Sequence, residues 1–230
     1  MNKHLTLNPI FFLLFLPFFS LAQDSIVIAN FLPNQLGDQL FYEQANLNYS
    51  FTLHYKDAQT ISPVDLIACS KRQSIQYLET TDKKEGWQIA QIIYNKSRKI
   101  CERPLNILPA KVETNQHYQD EVTFYNFENG IRKKQGKIST KTLVLPLQAV
   151  ETPLRDFSGC LVLQRNITQR IGKKILTEEW QEWYAKDIGL VKAIGQIYSV
   201  SPKKGKTLEK EIQLSLDKAI INGKTVLASE

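Results

Sequence analysis

The chain is poor in the residues that carry most catalytic chemistry. It holds three histidines, three cysteines and one methionine in 230 residues. His4 lies in an N-terminal leader, so only His54 and His117 belong to the body of the chain. A Ser–His–acid hydrolase needs a histidine oriented by a carboxylate beside an exposed serine, and no Gly-x-Ser-x-Gly elbow occurs. His54 falls on the polar face of an alternating stretch, where a lone histidine is a solvated position. A thiol nucleophile made from Cys69 or Cys101 with His117 has no local support. The sequence has no closely paired Cys or His ligands of the kind zinc needs. It also has no glycine-rich phosphate loop and no dinucleotide fingerprint. We therefore expect a chain without a cofactor and without an enzymatic activity.

Long apolar runs are equally scarce. The single one, Ile10 to Phe19, follows Lys3 and precedes the small-x-small pattern Ser20, Leu21, Ala22. This is the pattern of a signal peptide over residues 1–22 with cleavage after Ala22. The run is shorter than the ~20 residues that span a bilayer, and no cysteine follows it for lipid attachment. No later stretch reads as a membrane helix. We expect an exported protein, periplasmic or secreted, with residues 23–230 forming one β-sheet domain. The formal charge is +6, and it is spread along the chain. The densest basic run, Ser201 to Lys206, reads as a solvated turn, and nucleic acid is not an expected partner. Export places Cys69, Cys101 and Cys160 where disulfides persist. One pair and one leftover thiol is the simplest count, with Cys69 and Cys101 nearest in sequence. Three reduced thiols packed as small apolar residues is an equal alternative.

What the chain does have is alternation at period two. In Tyr49, Phe51, Leu53 and Tyr55 the large residues interleave with Ser50, Thr52 and His54, the pattern of a half-buried antiparallel strand. Further strands are expected at 60–69, 73–78, 87–94, 121–127 and 137–147. Pro63 puts the first of these at an edge. Residues 160–167 and 170–176 are expected to pair across a turn at Thr168 and Gln169. Asn129–Gly130 and Asn222–Gly223 are turns. The alternation of Ile212, Leu214 and Leu216 decides for a strand over a helix at 210–217. The predicted class is mainly β: a large curved antiparallel sheet, a half-barrel or incomplete barrel, with at most one or two short helices.

The most distinctive stretch runs from Glu178 to Ile194. Trp180, Trp183 and Tyr184 offer large apolar area with a polar tip. Ala185 to Gly189 reads as a loop, with Gly189 in a conformation that a side chain would penalise. A strand then follows from Leu190 to Tyr198. The plain reading is an aromatic-capped hairpin in a core. The sharper one puts Trp180, Trp183 and Tyr184 at the rim of a ligand groove. Glu178, Glu179 and Glu182 beside the indoles have the look of a sugar site, which would need two carboxyls about 5–10 Å apart. We favour a polar turn leading into the hairpin.

Four pieces of the chain resemble, in order, a family of uncharacterised exported bacterial β-sheet proteins. The first carries Phe31, Pro33, Gly37 and Tyr42, with Leu40 where most members have an aromatic. The second is Leu108 to Thr114. The third holds Pro153, Phe157 and Cys160, with Leu154 and Arg155 in place of a small pair. The fourth holds Trp183, Tyr184, Ala185, Gly189, Leu190, Val191 and Lys192, with Ile188 for a valine. The family is similar in architecture to the lipoprotein-carrier (LolA-like) half-barrels. The resemblance implies a cell-envelope protein without established catalysis. It marks Pro33, Gly37, Tyr42, Phe157, Cys160 and Gly189 as motif positions. It also implies a packed role for Cys160, leaving Cys69 and Cys101 as the better disulfide candidates.

These readings lead to three functional expectations. The first is a non-enzymatic envelope protein that binds a lipid or other apolar ligand in the concave face of its sheet. The second is an interaction or structural module that holds no small ligand and recruits an envelope protein through a strand edge. The third is a hydrolase of an unrecognised kind.

Overall fold

The computed structural model describes residues 25–32, 38–44, 49–55, 62–68, 74–82, 86–94, 97–202 and 205–226. The expected leader and the motif positions Pro33, Gly37 and Cys69 lie outside them. The strands, in chain order, are β1 (Ile26–Val27), β2 (Gln39–Gln44), β3 (Tyr49–Tyr55), β4 (Ser62–Ala68) and β5 (Ser74–Asp82). Next come β6 (Gly86–Tyr94), β7 (Ser97–Leu108), β8 (Lys111–Val112), β9 (His117–Glu128) and β10 (Ile131–Val150). The last are β11 (Phe157–Ile171), β12 (Lys174–Ala185), β13 (Gly189–Ser201), β14 (Gly205–Ile221) and β15 (Lys224–Val226). One 3-10 turn, Ile28–Asn30, is the only helical element among the described residues.

Strands β1 and β8 pair with each other, and all the others belong to one antiparallel sheet. That sheet curves strongly. At Ser215, β14 pairs with Lys192 of β13 and with Glu43 of β2. A residue cannot ladder to two strands on one edge, so β13 and β2 lie on opposite edges of β14. The sheet thus bends until its distant strands meet. The ladder around this curve is incomplete, since β7 and β9 pair only over Ser97–Cys101 and Phe124–Glu128. This is the curved antiparallel class that the alternation predicts.

Several turns fall where their chemistry requires. Asn129 and Gly130, and Asn222 and Gly223, all take positive φ, as two-residue hairpin turns of this type need. Gly189 has φ of 106°, a conformation that any side chain would strain. Prolines within strands sit where the ladder breaks: Pro104 between the paired residues Ile100 and Leu105, and Pro146 between Leu145 and Gln148. Pro63 does not mark an edge, because β4 lies between β3 and β5. Its pairing with β3 begins one residue later, at Val64, so the missing N–H costs no bond on that side.

Two sequence expectations are corrected. Strand β11 does not turn at Thr168 and Gln169. It continues to Ile171 and reverses at Gly172, whose φ is 57°. Nor is the Glu178–Trp183 stretch a polar turn. It is the middle of β12, hydrogen-bonded to β11 on one side and β13 on the other.

The two faces of the sheet follow from register. One set of cross-strand rows runs Val144–Leu163–Glu182–Ala193–Leu214, then Thr142–Arg165–Trp180–Gly195–Ile212, then Thr140–Ile167–Glu178–Ile197. All the residues of these rows except the half-buried Trp180 and Ile197 are buried, and the rows face the hollow. The alternate rows, such as Lys141–Asn166–Glu179–Gln196–Glu211, face solvent. Contacts across the hollow join distant strands. Trp87 of β6 meets Tyr184 of β12 edge-to-face at 5.7 Å. The Tyr42 hydroxyl of β2 donates to the Leu190 carbonyl of β13 at 2.6 Å.

One end of the hollow is filled. Ile28, Phe31 and Leu32 are buried in the common core with Leu105, Ile107 and Leu108. The Ile28 amide donates to Ala110 O at 3.0 Å, and the Asp187 amide donates to Asn30 O at 2.8 Å. These bonds tie the N-terminal segment to the β12–β13 turn.

Candidate functional site

The opposite end is open. There the β9–β10 and β11–β12 turns lie beside the start of β7 and the end of β13. A cleft of about 1200 Å³ lies among them. Lys99, Asn126 and Gln169 give it a polar side; Ile171 and Leu176 are its apolar residues on the concave face, while Ile175 and Val200 belong to the alternate row and border it only at the rim.

Next to the cleft, the concave face carries a buried polar network. Lys99 Nζ donates to Gln169 Oε1 at 2.5 Å across the hollow. Gln169 Nε2 lies 3.5 Å from Glu178 Oε1, and Trp180 Nε1 donates to Glu178 Oε2 at 3.2 Å. Arg165 and Glu182 form a bidentate pair, Nε to Oε2 at 3.0 Å and Nη2 to Oε1 at 2.5 Å. Register explains that pair. Arg165 is opposite Trp180, and Glu182 is two residues further along β12, a diagonal that long side chains span. The Arg165 guanidinium also lies 4.9 Å from the Trp87 ring centroid, a cation–π geometry.

The electrostatics follow from burial. Loss of solvation pushes the Glu178 carboxyl above the usual range, against the opposing pull of the Trp180 N–H, Arg165 and Lys99. Loss of solvation also lowers the Lys99 ammonium, while the nearby Glu178 charge acts to raise it. The hydroxyls of Thr140 and Thr142, on the same face, are buried without a hydrogen-bond partner.

The indoles do not act as a pair. Three residues apart on a strand, Trp180 and Trp183 must point to opposite faces. Trp180 turns inward and covers Gly195 directly across the ladder. A Cβ at Gly195 would come within 2.2 Å of the Trp180 ring. Phe124 covers Gly136 in the same way. Trp183 is buried on the other face, with Nε1 donating to Gln148 Oε1 at 3.3 Å. Tyr184 is buried against Trp87. None of Trp180, Trp183 or Tyr184 lines the open-end cleft.

The remaining motif positions are structural. Tyr42 and Phe157 are buried. Cys160 is a buried free thiol 3.9 Å from Phe157 O. Cys101 is also a buried free thiol, while its expected partner Cys69 is outside the described residues. Desolvation pushes both described thiols up to about 11. His117 is exposed and paired with Leu143 in a row on the outer face, away from Glu178 and Glu182. The charged residues of the concave face were missed because polar strand positions were read as solvent-facing. A usable signal existed: Arg165 shares its period-two face with Leu161, Leu163 and Ile167.

No protein-family model matches the chain, and no curated protein matches it. Two solved structures resemble it. One is described as "a putative lipoprotein" from Parabacteroides distasonis, at 15% identity and a TM-score of 0.41, covering 82% of this chain and 97% of that one. The other is described as "a putative exported protein with YmcC-like fold" from Bacteroides fragilis, at 14% identity and a TM-score of 0.43, covering 82% and 98%. Superpositions at this level do not bear on what the chain does.

Proposed function

We propose that the chain is a non-enzymatic exported protein of the cell envelope that holds a lipid or other amphipathic ligand at the open end of its concave face. The observation that carries this reading is the asymmetry of the hollow. One end is filled by Ile28, Phe31 and Leu32, and the other opens into a cleft where Ile171 and Leu176 supply apolar surface on the concave face. A largely preformed cavity with an apolar wall and a few placed polar groups is the usual form of a small-molecule site. Export rests on the leader pattern over residues 1–22.

The chemistry of the concave face supports a binding role over a hydrolytic one. Glu182 is engaged by Arg165, and Glu178 by Trp180. Thiols raised to about 11 are poor nucleophiles at neutral pH. An interaction module working through a strand edge is the second reading, and its candidate is the stretch where β7 and β9 part beyond Cys101 and Phe124. Native mass spectrometry of the protein purified from its host envelope, followed by solvent extraction, tests the proposal. The expected result is an adduct of lipid mass that extraction removes. A clean apo mass, with no adduct on adding lipid, would end it.

A further inference from the structure

The apolar wall does not account for the charge around the cleft. Lys99, Lys133, Lys173 and Lys174 all border it, and Glu128 is the one carboxylate on its wall among the described residues. Arg132, Arg170 and Lys206 stand near the same hairpin ends. The innermost cation is Lys99. Its hydrogen-bond acceptor is the neutral amide oxygen of Gln169, and its ammonium lies 5.7 Å from the Phe124 ring centroid. The carboxylate that acts on it from within is Glu178, which is already held by the Trp180 N–H, so with Lys133, Lys173 and Lys174 at the mouth the cleft keeps a surplus of positive charge for an incoming anion. Asn126, level with Lys99 in the ladder, adds an amide to the same side of the cleft.

We propose that the ligand is an amphiphile with an anionic head. The head sits on Lys99, Asn126 and Gln169, and the chain lies along Ile171 and Leu176. The inference rests on the cleft being the ligand site, as put forward above. Lys133, Lys173 and Lys174 act at longer range, raising the local concentration of anions at the mouth.

Isothermal titration calorimetry of the mature protein with decanoate and with decanol tests the inference, because the two share a chain and differ in charge. Decanoate is expected to bind about tenfold more tightly, the order of a charge-assisted hydrogen bond. Lys99→Gln should remove that preference. The exposed double variant Lys173→Gln/Lys174→Gln, which leaves the core intact, should weaken decanoate about two- to threefold at low salt and not at high salt. Equal binding of the two probes by the wild-type protein overturns the anionic head while leaving the cleft a ligand site. So does a preference that survives Lys99→Gln, or, if that variant does not fold, a double variant without effect. Binding of neither probe removes the reading beneath it as well. Flotation with phosphatidylglycerol vesicles, against phosphatidylcholine vesicles, separates the two sources of such a head: flotation marks a bilayer lipid, and uptake from solution without flotation marks a free amphiphile.

Discussion

The buried Arg165–Glu182 pair makes the sharpest prediction about stability. Its side chains are 10% and 5% exposed, and both polar ends are engaged. Removing one partner of such a pair leaves a charge in a desolvated interior, which costs roughly 3–5 kcal/mol. Arg165→Met also gives up the contact with Trp87, worth about 0.5–2 kcal/mol, so it should cost the more of the two single changes. Glu182→Leu leaves Arg165 stranded beneath Leu163 and Val144 and should cost at least about 3 kcal/mol. The double variant removes both charges and keeps the volume, so it should lie within about 1–2 kcal/mol of wild type, a difference that sets the pair's coupling energy. Urea unfolding followed by circular dichroism, with unchanged denaturant slopes, provides the measurement. Single variants that cost under about 1 kcal/mol, or a double variant equal to their sum, would refute the reasoning.

Three further predictions follow from the same face. Gly195→Ala must displace the Trp180 ring from a distance of 2.2 Å, so the melting temperature should fall by several degrees with a shift in tryptophan emission. An unchanged Tm would mean that the ring does not lie on the strand. The raised Glu178 carboxyl holds its proton more tightly in the folded state than in the unfolded chain. Its contribution to stability is therefore present below the ordinary value of 4.5 and is lost as pH rises through the raised folded value. Glu178→Gln should flatten the pH dependence of Tm above 4.5 and gain stability at neutral pH; an unaltered profile would contradict this. Cys101 and Cys160, buried and raised to about 11, should resist iodoacetamide at pH 8 until the protein is unfolded, which peptide mass mapping would show.

The strands were legible because alternation is a local property. Tyr49 to Tyr55, Trp87 to Tyr94 and Ile212 to Leu216 all lie in strands, and the Asn–Gly turns declared themselves by composition. The alternation at the start of β13 was not legible, for a physical reason. The β12–β13 register slips between Trp183 and Tyr184, leaving Val191 as the extra residue, so Leu190 and Val191 are both buried. A bulge of this kind shifts the alternation by one and has no signature in the sequence. Gly172 was the overlooked turn, since Thr168 and Gln169 looked like a polar break. The candidate site was least legible. The motif aromatics Trp183 and Tyr184 are packing residues, while Gln169 and Leu176 are ladder partners on β11 and β12 and Lys99 comes from β7, distant in sequence. Only the curvature of the sheet brings the β7 residue to the others.

The central claim is that the hollow opens beside Leu176 and takes an amphiphile there. Crystals grown with a fatty acid brominated along its chain would locate the ligand through the anomalous signal of bromine. The account predicts a peak beside Ile171 and Leu176. A peak on the outer face beside Ile194, or none in crystals with the ligand in excess, would contradict it.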